Sequence, residues 1–203
     1  FISTTMPFLH AGYQVILADV DPQTLLLTAQ EVEAKITPHT RLVINVDLYG
    51  QNNDLKKIRQ LCDTYRVTLL QDCAHRLTLL DAKPPLADLT CYSFNAIKEA
   101  AGGEGGILWS SHLEWQERAK ALSNSGLTVD TLQRSSTAHH QDYAFIPETG
   151  LKLRLNDLSA ALVLEGLDCL AESRELRKQL FEFYDSQLEP LSDVLQPFKR
   201  QSD

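Results

Sequence analysis

The sequence carries no apolar run approaching the ~20 residues that a helix needs to cross a bilayer, so a membrane-spanning role is not expected. No secretory signal is visible in it, which points to the cytoplasm. Cysteine is sparse: Cys62, Cys73, Cys91 and Cys169 are scattered and form no C-x-x-C pair. That speaks against a zinc site or a dithiol redox motif, and no metal is expected. Free thiols in a reducing compartment are the simpler reading. Basic residues are in deficit, 19 Lys and Arg against 27 Asp and Glu, for a formal net charge of −8. A balance of that sign argues against a nucleic-acid partner held through phosphate contacts. It suits a soluble enzyme. Internal repeats and low-complexity tracts are also missing.

What is there is a chain of 203 residues with 43% hydrophobic content, enough for one full core. It opens at Phe1 without a Met and runs straight into Ile2-Ser3-Thr4-Thr5. That beginning reads as the middle of a structural element, and the expectation is a piece of a longer protein. Short apolar runs then alternate with amphipathic stretches. Strands are predicted over residues 15–20, 42–46, 67–72, 90–94 and 106–109. Helices are predicted over 28–36, 53–65 and 113–122 from apolar spacing. Thr28 with Glu31 three residues on is a capping-box pattern. A single long helix is predicted over 156–188, with Gly166 as its weak point and Pro190 as its stop. Residues 124–149 read as a long polar loop, and 124–145 as a candidate substrate region. His139-His140 within it reads as solvated loop rather than a ligand pair.

Apolar strands alternating with helices indicate an α/β fold with a mainly parallel sheet and flanking helices. In such sheets ligands collect at the carboxyl ends of strands. Two polar clusters sit at such ends here, Asp72 to His75 and Ser93 to Lys98. A lone Asp at a strand end is most often a cap or a loop ligand. The second cluster delivers a Ser, then a Lys, then the glycine-rich run Gly102-Gly103-Glu104-Gly105-Gly106. The bland reading of Lys98 is a surface lysine beside a loop. The sharp reading is a Schiff-base lysine, because a half-buried amine is costly unless used, and a free amine condenses with aldehydes.

Taken together the two clusters resemble the DegT/StrS-type sugar aminotransferases, a branch of the aspartate-aminotransferase fold. Members carry a strand ending in Glu-Asp-Ala-Ala-(Gln or His), read here as Gln71-Asp72-Cys73-Ala74-His75. Further on they carry Ser-Phe-x-x-x-Lys and a Gly-Glu/Asp-Gly-Gly turn, read here as Ser93 to Lys98 and Gly103 to Gly106. Ala18-Asp19-Val20-Asp21-Pro22, Leu48-Tyr49-Gly50-Gln51 and the segment Leu153 to Ala161 agree in order. The resemblance covers nearly the whole chain.

The resemblance implies pyridoxal 5'-phosphate as cofactor and Lys98 as the catalytic residue that holds it and later moves a proton. Asp72 pairs with the ring nitrogen and keeps it protonated. His75 sits beside the ring or its phenolic oxygen, and Ser93 donates to the phosphate. Lys152 stands where relatives have an Asn that reaches the phosphate of the neighbouring subunit's cofactor, so a homodimer is implied. The substrates implied are glutamate and a nucleotide-linked keto-sugar, with the closest likeness to enzymes acting at a 4-keto position. Related sugar dehydratases replace the lysine by His, so Lys98 argues against that activity. From another class, the alternative is a family relative with a binding or regulatory role. Residues 1–155 correspond to most of the cofactor-binding large domain, and 156–203 to a long helix leading to the small domain. Departures from the pattern are Glu99 for a usual Asn, Lys152 for Asn, Asp47 for a common His, and a stretch 76–85 without the usual hairpin signature.

Overall fold

The computed structural model describes residues 1–51, 53–78, 85–128 and 144–198. His139-His140, most of the 124–149 loop and part of the 76–85 stretch lie outside the described residues. Four strands form one sheet in sequence order: β1 (Leu42–Val46), β2 (Thr68–Asp72), β3 (Leu89–Ser93) and β4 (Gly106–Ser110). β1, β2 and β3 run parallel, and β4 returns antiparallel on β3. The expected α/β class with a mainly parallel sheet is what the chain adopts.

Two expectations need correction. Residues 15–20 do not form a strand. A strand needs a ladder partner, and the only pairing here is an isolated bridge between Val20 and Leu27. Ile16 and Leu17 are accordingly exposed. The single long helix is two: α5 (Asp157–Asp168) and α6 (Leu170–Leu188), joined at Cys169, where ψ is −3°. Gly166 is not the break. It lies inside α5, where an added Cβ would stand 3.1 Å from the Ala100 Cα, so its role is close packing.

Among the described residues the remaining α-helices are α1 (Met6–His10), α2 (Ala29–Glu33), α3 (Leu55–Tyr65) and α4 (Leu113–Ser123). The Thr28 hydroxyl accepts from the Glu31 N–H at 3.2 Å and so caps α2 as the sequence suggests. α3 sets Leu55, Ile58 and Cys62 against Val43 and Leu69 of the sheet. Arg66, in the left-handed region at φ 54°, ends it. No helix among the described residues is long and apolar enough to cross a membrane.

Register decides which side chains meet. Val43 pairs with Leu69, Asn45 with Gln71, and Gln71 with Thr90. Side chains alternate across a strand, so these residues and Tyr92 share one face. That face is fully buried, with α3 over one half and Val163 of α5 and Leu170 of α6 over the other. The opposite face carries Ile44, Val46, Leu70, Cys91 and Ser93, all only half-buried. Asp72 is the buried exception on it.

Ile58 is 1% exposed at the centre of the first core cluster. Replacing it with Ala removes packed methyl groups and leaves a cavity. We expect Ile58→Ala to destabilise the full-length protein by about 2–5 kcal/mol. Urea unfolding, followed by far-UV circular dichroism, reads this as a lower midpoint at unchanged slope.

Candidate functional site

Asp72 is the last residue of β2, at the carboxyl end of the sheet. Its carboxylate is held from two sides. Oδ2 accepts from the Thr4 hydroxyl at 2.8 Å, and Oδ1 accepts from the Ala74 N–H at 3.0 Å. Fixed donors of this kind hold a carboxylate in one orientation. Cys91 is the β3 partner of Asp72. Ser93, two residues along, therefore falls on the same face, so β2 and β3 deliver both predicted residues to one side of the sheet.

His75 lies in the turn just after β2 and is half-buried. Tyr49 donates its backbone N–H to His75 Nδ1 at 3.4 Å, and the two rings stack with centroids 5.8 Å apart. Tyr49 adopts φ 55° to do so, a strained conformation for a non-glycine residue. With Nδ1 as acceptor, the neutral ring carries its proton on Nε2. Burial pushes the His75 pKa below its ordinary value. The Lys98 charge adds to this, and Asp72 acts the other way. His75 thus feels charge of both signs, from Lys98 and from Asp72.

Lys98 rides on a loop between β3 and β4. The loop is closed at its neck by Phe94, whose N–H donates to the Gly105 carbonyl at 2.9 Å and whose carbonyl accepts from the Gly102 N–H at 2.8 Å. Gly105 takes φ +134°, a conformation open to glycine, and an added Cβ on Gly106 would meet the Tyr92 carbonyl oxygen at 2.5 Å. These glycines thus serve the turn that folds β4 onto β3. Within the loop the Lys98 N–H donates to the Asn95 carbonyl at 2.9 Å. The Ser93 Oγ accepts from the Asn95 N–H at 3.3 Å. That leaves the hydroxyl proton of Ser93 available for an acceptor.

Lys152 does not join this cluster. It is exposed and bridges to Asn124. Several residues that shape the site carry no local sequence signal. Thr4 reaches Asp72 across 68 residues, and Tyr49 reaches His75 across 26. A buried polar network also underlies the strand ends. The Asp47 carboxylate is fully buried. It accepts from Asn45 Nδ2 at 3.0 Å, Gln71 Nε2 at 2.8 Å and Cys73 Sγ at 3.6 Å, and pairs with Arg76 at 3.6 Å. Burial raises its pKa despite these partners. Asn53 extends the network, donating to Asn45 Oδ1 and, at 2.7 Å, to the Leu27 carbonyl.

The model of the DegT/DnrJ/EryC1/StrS aminotransferase family matches residues 1–203. The spore coat polysaccharide biosynthesis protein SpsC of Bacillus subtilis is 29% identical over 201 residues, 98% of this chain and 51% of its own length. Among solved structures, the sugar aminotransferase CalS13 from Micromonospora echinospora is 27% identical with a TM-score of 0.81. The match covers 100% of this chain and 56% of that one. DesI, whose structure was determined in the presence of its TDP-sugar product, is 28% identical with a TM-score of 0.70. It matches 85% of this chain and 41% of its own. The chain spans about half the length of these relatives.

The electrostatics of the cluster can be measured without any ligand. We expect the His75 imidazole to titrate below its ordinary 6.5, as read by the pH dependence of its ring-proton NMR signal. Lys98→Ala removes a repelling charge and moves the midpoint up. Asp72→Asn removes an attracting one and moves it down. Because the folded value lies below the unfolded one, the neutral ring contributes stability that is full above pH 6.5. That contribution is lost as pH falls through 6.5 toward the folded value, and His75→Gln abolishes this part of the acid limb.

Proposed function

The chain belongs to the DegT/DnrJ/EryC1/StrS aminotransferase family, and on that premise we propose that the protein moves an amino group from glutamate to a keto group of a nucleotide-linked sugar. The family's aminotransferases depend on pyridoxal phosphate. The donor set on this chain fits that group. The observation that carries the reading is a carboxylate fixed at the end of β2, a half-buried imidazole just beyond it and a lysine on the loop that leaves β3, all at the carboxyl end of these parallel strands. A protonated pyridine nitrogen requires a carboxylate, and Asp72 is held ready by Thr4 and Ala74. A phenolic oxygen requires a donor, and His75 has its proton on Nε2.

The roles of the side chains follow from their chemistry. Bound pyridoxal phosphate supplies an electron sink for the breaking of a C–H bond next to nitrogen. Asp72 orients the ring and keeps its nitrogen charged. Lys98 would hold the cofactor through its amine and, once freed by the incoming amine, would serve as the base that carries the proton from the donor's nitrogen-bearing carbon to the cofactor's aldehyde carbon. Ser93 directs its hydroxyl proton to a phosphate oxygen. Lys152 lies apart from this cluster and serves the cofactor of a second subunit, which makes the working unit a homodimer. Residues 1–155 form most of the cofactor-binding domain, and those from 156 on lead out of it. The nucleotide-linked sugar is supported by DesI, which was crystallised with a TDP-sugar product. We place the protein in the cytoplasm, where Cys62, Cys73, Cys91 and Cys169 stay reduced.

The test uses the full-length protein. Added pyridoxal phosphate should develop a visible absorbance band, and borohydride reduction should leave the cofactor mass on the peptide carrying Lys98. Lys98→Ala should lose the band and lower kcat on the order of 10²–10⁴-fold. Glutamate should bleach the band in the wild type. A band that persists in Lys98→Ala, with the mass found elsewhere, sinks the assignment of Lys98. A band indifferent to glutamate sinks the donor.

A further inference from the structure

Glu99, the residue after Lys98, is tied down by contacts from outside the loop. Its Oε1 accepts from Arg174 Nε of α6 at 2.9 Å. Its Oε2 accepts from the Leu77 N–H at 2.8 Å and from Arg174 Nη2 at 3.3 Å. Arg174 Nη2 also donates to the Leu77 carbonyl. One bidentate ion pair thus joins three segments: the Lys98 loop, the stretch just past His75, and α6. The Glu99 side chain is 17% exposed and the Arg174 side chain 40%, so the carboxylate is shielded while the guanidinium stays partly open to solvent.

The contacts on either side of Lys98 are unequal. Before it, Ala96 and Ile97 are exposed, and Ile97 is 83% so. After it, Ala100 is 1% exposed and seated on Gly166 of α5. Glu99 is where the free tip becomes fixed chain. A carboxylate next to a reactive lysine is also a ready ion-pair partner for it. Here that carboxylate is occupied by Arg174 and the Leu77 N–H, so it is not open to the Lys98 amine.

We propose that Glu99 and Arg174 are positioning residues: the pair fixes the backbone at Lys98 and keeps the neighbouring carboxylate from capturing its amine. The proposal rests on the reading of Lys98 as the cofactor-bearing residue. It accounts for a Glu at a position where the family resemblance implies Asn.

The experiment compares full-length wild type with Glu99→Ala, Glu99→Gln and Arg174→Met, each first freed of cofactor. Far-UV circular dichroism gives the folded fraction, and stopped-flow absorbance gives the rate at which added pyridoxal phosphate develops its visible band. At a temperature where all are folded, positioning predicts rates about tenfold lower in Glu99→Ala, the scale of one charge-assisted contact, and lower still in Arg174→Met. Arg174→Met leaves Glu99 charged and unopposed, so adding Glu99→Gln should raise its rate to the Glu99→Ala level. A purely structural pair would lower the melting temperature and leave the rate of the folded protein unchanged. Wild-type rates in the folded variants, or no recovery in the double variant, overturn the proposal. Should Glu99→Ala not fold, Glu99→Gln decides by the same criterion. Lys98→Ala is the control. A band that survives there shows that the underlying reading of Lys98 has failed, a result distinct from failure of the pair.

Discussion

Phe94 closes the loop that carries Lys98. Its two backbone bonds, to Gly102 and Gly105, form the neck, and its ring is 1% exposed in the core beside Tyr92 and Val163. Burying such a ring contributes roughly 1.5–3 kcal/mol, enough to hold the neck against the entropy of a short loop. Everything at the tip depends on that closure. With the neck shut, β4 can return antiparallel along β3, α5 can press Gly166 against Ala100, and Arg174 of α6 can reach Glu99. An open neck would leave Lys98 on an untethered glycine-rich segment, and no arrangement of Asp72 or His75 would compensate.

The polar network beneath the strand ends explains two departures from the family pattern at once. Relatives commonly place His before Leu-Tyr-Gly and Glu before Asp-Ala-Ala. This chain has Asp47 and Gln71 at those positions, and the two side chains meet in one 2.8 Å hydrogen bond. The acid has changed strands, and the donor has changed with it. A fully buried carboxylate is expensive without partners. Asn45, Gln71, Cys73 and Arg76 supply them. The departures are therefore complementary, and they preserve a pinned strand end next to Asp72.

The sequence made some of this legible and concealed the rest for physical reasons. Helix α3 and strands β1 to β3 are readable because each buries a periodic apolar pattern, and β4 because a glycine run introduces its apolar residues, although Ile107 and Leu108 stay exposed. Asp72, Ser93 and Lys98 are readable because strand ends and a glycine run bracket them. The run at 15–20 misleads because apolar content alone does not supply a ladder partner. Cys169 interrupts the last helical stretch with no Pro or Gly to announce it. Gly166, which looked like the flaw, is instead used to bring α5 close to Ala100. Thr4, Tyr49 and Arg174 are invisible in one dimension. Their partners lie 68, 26 and 75 residues away, and only the folded chain brings them together.

Asp47 and Asp72 show where sequence reading stops and register takes over. Both are buried carboxylates at the ends of neighbouring parallel strands, and the Asp47 N–H even donates to the Asp72 carbonyl at 3.0 Å. A strand-end position alone does not rank one above the other. Their faces do. Asp47 shares the face of Asn45 and Gln71, which α3 and the core cover, and its oxygens are filled by side chains of the fold. Asp72 shares the face of Ser93, which the helices leave half-open. A slip of one residue in β2 would turn Asp72 into the core and Gln71 to the open face, taking from Asp47 its 2.8 Å partner. What separates a carboxylate that holds the fold together from one that can hold a ligand is thus the parity of a single strand, fixed by Leu69 packing against Val43 and Ile58.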